Sequence, residues 1–430
     1  MSISPARLLA LSQIDQRDLP NWEPSTIHRE LRPKSIDPRD LDLADRITQG
    51  VIKQALVLQR LVAEYSGRKL SQIDEPVQKI LAMSLYQLRA MERVPTHAIV
   101  SDAVEMTKLV GHRSAATFVN AVLRKASADK AAGKPFVGKN AAERAEKEFS
   151  VPKELFARLA MLYGESRALQ LCESFDREPP MLGRLIGSTT IDDLRARSIS
   201  AEPHEQSRIV VLSGLRRAEL RELSDAGLVQ VQDATSAAVI DALDLRPGQR
   251  VLDRCAGRGT KTQQILELIG EGGSVVAMDT SRSRLRSLEQ LVERRKISNA
   301  RSFLAGSIHE LPADAREYDR VLIDAPCSNS GVLARRPEAR YHQDPREQTD
   351  LIALQLQILR DSADAVTVGG RLLYATCSIW SEENEAVIDA FLGADSRFAL
   401  LSSSTTALQT AESASTYRDG GFVAVLRRDR

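Results

Sequence analysis

Apolar positions recur with helical spacing through the first third of the chain: Leu81, Leu85 and Leu88 fall at i, i+4 and i+7, and so do Ile99, Ala103 and Met106. Gly67 and Gly111 stand where helix C-caps belong, and Pro95 punctuates the gap between two periodic stretches. Residues 1–130 therefore read as an all-helical bundle. The run ASADKAAGKPFVGKN at 126–140 interrupts the periodicity and reads as a linker. Over 141–235 a helical stretch containing Pro152 gives way to strand-like runs, MLGRLIG at 181–187 and RIVVLSG at 208–214, which predicts a small α+β connector. From 236 to 430 the pattern alternates: apolar strands at 250–254, 274–279, 320–325 and 371–376 are separated by amphipathic helices such as 349–366. Buried strands alternating with helices predict right-handed βαβ units and a doubly wound, mainly parallel sheet. The expectation is thus a multidomain chain that is all-α, then α+β, then α/β, with no repeat of solenoid period.

Composition narrows the class. With 430 residues, 43% hydrophobic and 27% charged, the chain has the balance of a soluble globular protein of two or three domains. No apolar run approaches the roughly 20 residues that cross a bilayer, and the N-terminus lacks a signal-peptide plan, so a cytoplasmic, membrane-free protein is expected. The net charge of +1 supplies no bulk attraction for nucleic acid. Local basic clusters at 28–34, 215–221, 292–296 and 333–340 are candidate phosphate contacts, although charge runs are more often solvated faces. Four scattered cysteines argue against a disulfide framework and against a zinc knuckle.

In parallel sheets of this kind ligands bind beyond the carboxyl ends of the strands. Four segments fall there: Asp253 with CAGRGTKT, Asp279, DAPCSNSG at 324–331, and TCS at 376–378. Gly257 and Gly259 would let backbone approach a ligand closely, and Asp279 is placed to accept ribose hydroxyls. Those features alone suit many adenosine-binding proteins, and a strand-end Asp can simply cap a helix. The cysteines discriminate. Cys172 and Cys255 read as inert buried hydrophobes. Cys327 and Cys377 end strands separated by one helix crossing, so both thiols can reach one pocket, beside helix N-termini expected to favour the thiolate. Two thiols and an acid beside an adenosine cofactor suit methylation of cytosine at carbon 5. That carbon is too weak a nucleophile unaided; thiolate addition at carbon 6 makes the ring an enamine, Asp324 can hydrogen-bond ring nitrogen 3 or the exocyclic amine, and a second group can assist release. The target base must be flipped out or single-stranded.

These segments resemble the Sun (RsmB, also called Fmu) bacterial ribosomal RNA cytosine-5 methyltransferases within the NOP2/Sun group, over nearly the whole chain. DAPCSNSGVLARRPE at 324–338 and YATCS at 374–378 are similar to that family's two cysteine motifs. VQDATSAAVIDAL at 231–243 and DGGFVAVLRR at 419–428 resemble its entry into the catalytic domain and its closing strand. DLADRITQGVIKQALVL and TFVNAVLRKA resemble its NusB-type helical RNA-binding domain. The resemblance implies a Rossmann-like methyltransferase domain using S-adenosylmethionine, with Cys377 as nucleophile, Cys327 in product release and Asp324 in base recognition. It implies cofactor contacts from Asp253, Cys255, Ala256, Gly257, Gly259, Lys261, Asp279, Arg284, Ser307 and Asp324. The implied partner is small-subunit (16S) ribosomal RNA, and a monomer is expected.

Departures accompany it. Where the family reads DxCAAPGGKT this chain has DRCAGRGTKT, Ser307 stands where an acid near the adenine is usual, and Asn-Ser replaces Gly-Thr after Ser328. Three other readings compete: a transfer RNA methyltransferase of the same chemistry, an RNA-binding assembly factor without turnover, and an NAD-dependent oxidoreductase, which lacks GxGxxG after its first strand.

Overall fold

A computed structural model describes residues 3–24, 33, 35–129, 136–410 and 412–430. The basic cluster at 28–34 therefore lies, Pro33 apart, outside the described residues, as does the 130–135 part of the expected linker. The chain divides into two compact units, one of residues 1–178 with 333–342, the other of 179–332 with 343–430. The division falls inside the segment expected as a connector: helices Ala141–Phe149, Lys153–Tyr163 and Glu165–Ser174 group with the N-terminal helices, and only the strands beyond them join the C-terminal unit.

The first unit is helical, with Pro5–Asp15, Pro38–Lys53, Ala55–Ser66, Glu75–Ala90, Thr96–Leu109 and Ala116–Ala128 packed round one apolar core that includes Leu81, Leu85, Leu88, Ile99 and Met106. Local chemistry sets the helix ends. Asp37 accepts the Arg39 N–H with Pro38 at the first position, Gly67 closes Ala55–Ser66 in the left-handed conformation at φ 67°, and Pro95 caps Thr96–Leu109. Lys79 is buried and its ammonium reaches Asp15 at 3.0 Å. Arg340, from a basic cluster read as a solvated face or a candidate phosphate contact, is instead wholly buried in this unit. Its guanidinium donates to the carbonyls of Phe175 at 2.6 Å, Lys53 at 3.1 Å and Leu333 at 3.2 Å. That Arg is a backbone clamp, satisfying carbonyls that burial would otherwise leave unpaired.

The second unit carries two sheets. Strands β1 (Met181–Leu185), β2 (Ser200–Pro203), β3 (Ile209–Ser213) and β4 (Val229–Val231) form an antiparallel sheet in the order β2-β3-β1-β4. Arg184 of β1 is buried and forks onto Glu267 at 2.7 and 2.8 Å, joining this sheet to the helix Thr260–Ile269. The larger sheet comprises β5 (Arg250–Asp253), β6 (Ser274–Asp279), β7 (Ala300–Leu304), β8 (Tyr318–Asp324), β9 (Val366–Thr376), β10 (Phe398–Thr406) and β11 (Gly421–Arg428), in the order β10-β11-β9-β8-β5-β6-β7. Strands β5 to β9 pair in parallel, and β10 and β11 add an antiparallel margin, so the sheet is mixed. Apolar residues fill both faces, Val251 and Leu322 on one, Leu252 and Ile323 on the other. The chain runs outward from β5 through β6 to β7 and then returns to lay β8 on the far side of β5. The strand order thus reverses between β5 and β8, the place where a crevice opens in a doubly wound sheet. Among the described residues no helix is long and apolar enough to cross a membrane.

Candidate active site

The carboxyl ends of β5, β6, β8 and β9 supply the site. At the end of β5 the turn to helix Thr260–Ile269 holds Gly257 at φ 58° and Gly259 at φ 84°. Both are conformations that side chains resist, and a Cβ on Gly259 would lie 2.5 Å from Leu288. Ala256 binds back to Met278 of β6 through its N–H at 3.0 Å, which draws the turn toward Asp279. Asp279 accepts from the N–H groups of Gly257 at 2.9 Å and Ser281 at 2.8 Å, and Arg284 pairs with it at 3.1 Å. Three donors and burial leave its carboxylate almost closed, with the half-exposed Arg284 side chain as its outer cover.

Asp253 ends β5 but does not open on the crevice. It is buried, accepts the Thr262 hydroxyl at 2.6 Å, and burial pushes its carboxyl up to about 7, opposed by that hydrogen bond and reinforced by the nearby Asp324. A raised carboxyl favours the folded state when protonated. Its contribution is present in full below the usual carboxylate range and is lost as pH rises toward 7. Asp253→Asn, which can keep the Thr262 bond, should therefore flatten the fall of melting temperature between about pH 4 and 7. Thermal melts of the two proteins across that range check this, and parallel curves would count against it.

Lys261, one turn into the helix, reaches Asp324 at the end of β8 at 2.7 Å. Burial works against its ammonium, but attraction to Asp324, Asp253 and Cys377 outweighs it and the group is held above its ordinary value. Cys255 and Cys172 fit the inert reading, since burial pushes each thiol up to about 12. The Ser307 side chain is engaged with another acid: its hydroxyl donates to Asp361 at 2.5 Å, and Arg254 meets the same carboxylate at 3.1 Å.

Strands β8 and β9 pair in parallel with Asp324 beside Ala375, and this register brings the two cysteines together. Cys327 Sγ and Cys377 Sγ lie 3.2 Å apart. The Cys377 thiol donates to Asn329 Oδ1 at 3.1 Å, and Asn329 Nδ2 donates to the Cys327 carbonyl at 3.1 Å, so the three residues close a ring. The expected helix N-termini are absent from this arrangement. Loop residues follow each cysteine, and the next helix after Cys377 starts only at Glu385. The Cys327 thiol is accordingly not lowered; its hydrogen bond to Cys377 and its burial hold it well above the usual thiol range.

Beneath the thiols lies a polar support that the sequence motifs did not disclose. Glu383 is buried and accepts from the Ser328 N–H at 2.8 Å, the Ser378 hydroxyl at 2.9 Å and Gln355 at 3.1 Å. Ser330 and Ser378 meet at 2.9 Å, and Asn384 donates to the Ser378 carbonyl at 3.0 Å. One carboxylate thus ties the residue after Cys327 to the residue after Cys377. Gly331 is required where the loops cross, since a Cβ there would lie 2.3 Å from the Gly420 carbonyl oxygen. A cluster of polar residues after an apolar strand, SEEN at 381–384, was the available signal.

Two of the remaining basic clusters are engaged within this unit. Arg294 pairs with Asp225 at 3.1 Å, Arg295 donates to the Ser224 carbonyl, and Arg216 and Arg221 pair with Glu219 and Asp225 along their own helix.

Comparison with known proteins places this geometry. The family described as 16S rRNA methyltransferase RsmB/F matches residues 240–426, and the NusB family matches residues 4–128. The "Probable ribosomal RNA small subunit methyltransferase B" of Bacillus subtilis (strain 168) is 28% identical over 409 residues, covering 91% of this chain and 88% of that protein. Among solved structures, that of PH0851 covers 100% of both chains at 22% identity with a TM-score of 0.79. NSun6 from Pyrococcus horikoshii, solved with SFG, covers 65% of this chain and 98% of its own at 16% identity, with a TM-score of 0.53. An α/β sheet with two motif cysteines at adjacent strand ends, and a helical domain before it, fit these matches: residues 240–426 belong to the family of 16S rRNA methyltransferases RsmB/F, and residues 4–128 to the NusB family.

Proposed function

We propose that this protein methylates carbon 5 of a cytosine in small-subunit ribosomal RNA, with S-adenosylmethionine as donor and Cys377 as a covalent nucleophile. The observation that carries the reading is the pair of thiols 3.2 Å apart at the ends of adjacent strands, beside the Lys261–Asp324 ion pair. Metal-free alkyl transfer to a carbon needs a group that raises that carbon's nucleophilicity, and a thiol at carbon 6 supplies it.

The residues at β5 and β6 suit the cofactor. The left-handed turn at Gly257 has open space where a side chain would project, and Asp279 would meet a ribose hydroxyl where the half-exposed Arg284 now covers it. Bound there, S-adenosylmethionine would supply the methyl group on its sulfonium. The SFG in the NSun6 structure is an analogue of it and supports the assignment.

On the protein's side, Asp324 accepts from the exocyclic amine of a flipped cytosine, and Lys261 holds that carboxylate in place. Cys377 bonds to carbon 6 as a thiolate, which shifts the 5,6 electron pair onto carbon 5, where the methyl group is taken. The carbon-5 proton must then leave so that the 5,6 double bond re-forms and Cys377 departs. Cys327 suits that second task by its timing. While Cys377 is free, the Cys327 proton is held on it. Once Cys377 has lost its proton and become a thioether, it can no longer hold the Cys327 proton as a hydrogen-bond partner; Cys327 then yields that proton to solvent and, as a thiolate, takes the proton from carbon 5, whose electron pair re-forms the 5,6 bond and expels Cys377 as a thiolate.

Small-subunit ribosomal RNA incubated with the protein and methyl-labelled S-adenosylmethionine should yield labelled 5-methylcytidine on nucleoside analysis. Label appearing only on transfer RNA would move the substrate, and none on either RNA would favour an assembly role without turnover.

A further inference from the structure

Among the departures from the family pattern, Asn329 is the one that touches a reacting atom. It is a non-glycine residue in the left-handed region, at φ 58°, at the tip of the loop leaving β8. Asn tolerates that conformation better than most side chains because its short amide bonds locally. Here it does so: Nδ2 donates to the Cys327 carbonyl at 3.1 Å, which fixes the amide so that Oδ1 faces the Cys377 sulfur at 3.1 Å. The opposite orientation would set Oδ1 against a carbonyl oxygen, so the hydrogen-bond network itself selects the one described.

We propose that Asn329 is a positioning residue for the nucleophile, closing the ring of hydrogen bonds that holds the Cys377 thiol against Cys327. The inference rests on Cys377 being the nucleophile. The remaining members of the ring have other anchors: Cys327 through its neighbour Ser328 on Glu383, and Cys377 through β9 and Ser378 on the same carboxylate. Other bonds between the two turns, such as the Gly331 N–H to the Cys377 carbonyl at 2.8 Å and Ser330 to Ser378 at 2.9 Å, reach the backbone or the neighbour of Cys377; Asn329, beside Cys327, is the residue bonded to the Cys377 sulfur itself. Because Oδ1 can only accept, it binds the thiol and must let the sulfur go when the thiolate forms, so the clamp sets where the nucleophile starts rather than stabilising its charge.

Two variants separate positioning from structure. Asn329→Asp is isosteric and puts a negative charge beside the sulfur. Asn329→Gly suits the backbone conformation and removes the amide, so it should fold without loss. The measurement is alkylation of Cys377 by iodoacetamide as a function of pH, followed by peptide mass mapping, which distinguishes it from Cys327. The Asp variant should move the midpoint to higher pH by about one pH unit or more, as expected of a like charge in contact. The Gly variant should raise the alkylation rate at fixed pH several-fold while lowering kcat for methylation about ten-fold or more, with KM for RNA unchanged, because a loosened nucleophile is easier to reach and worse aimed. Profiles and rates that coincide with the parent in both variants would overturn the proposal. If instead Cys377→Ala still turned over, the nucleophile assignment would fail, and the alkylation data would stand as an independent result.

Discussion

Cys377→Ala should abolish methylation, by roughly 10⁴-fold or more, as removal of a nucleophile does in enzymes that work through a covalent intermediate. It should leave cofactor binding and melting temperature close to the parent, since the thiol lies at a strand end on a loop rather than in the packed sheet, and substitutions outside the core rarely cost more than about 1 kcal/mol. The Glu383 support below it is untouched, because Ser378 and not Cys377 holds that contact. Methyl incorporation and equilibrium dialysis with S-adenosylmethionine measure the two halves. Turnover at near-parental rates would remove Cys377 from the mechanism. Loss of both activity and cofactor binding would mean that the variant had damaged the fold, which the melt would show.

Cys327→Ala should behave in the opposite way at the covalent step. The adduct still forms and the methyl is still taken, but the carbon-5 proton has lost its acceptor, and losing a positioned base costs about 10²–10⁴-fold. The variant should therefore transfer about one methyl equivalent per enzyme and stall, leaving an RNA-linked band that survives denaturing electrophoresis and disappears in the Cys327→Ala, Cys377→Ala double variant. Such a burst is the kinetic mark of a trapped intermediate. A freely cycling Cys327→Ala enzyme would assign proton removal to another group.

The parts of this architecture that the sequence disclosed are those written in runs. Strands buried on both faces read as unbroken apolar segments, so β5 and β6 were legible nearly to the residue and β8 and β9 at their carboxyl ends, where Asp324, Cys327 and Cys377 fall, although β9 begins at Val366, five residues before the expected start. Margins were not. Strand β7 is half exposed with Arg and Ser in it, and β10 is a serine-rich edge, so neither carries an apolar signature. The helix N-terminus expected beside each thiol was an inference from strand-turn-helix grammar, and longer loops intervene. Arg340 shows the limit of charge patterning most clearly: a basic cluster in sequence cannot distinguish a guanidinium bound to solvent or phosphate from one buried on four carbonyls. The Asn329 ring was illegible for a different reason. It depends on one positive φ and on the register of two strands, neither of which residue type alone specifies.

That same Arg340 bears on how the chain is made. The carbonyls of Lys53, Phe149 and Phe175 that it satisfies belong to helices completed early in synthesis, but their donor emerges much later. Roughly 160 residues must be translated after the last of those helices before the guanidinium arrives, about 10–30 s at the usual elongation rate of 5–20 residues per second. During that interval the carbonyls of the nascent helical unit must find water in place of the guanidinium. It also means that a fragment ended near residue 178 would be missing a keystone rather than a tail.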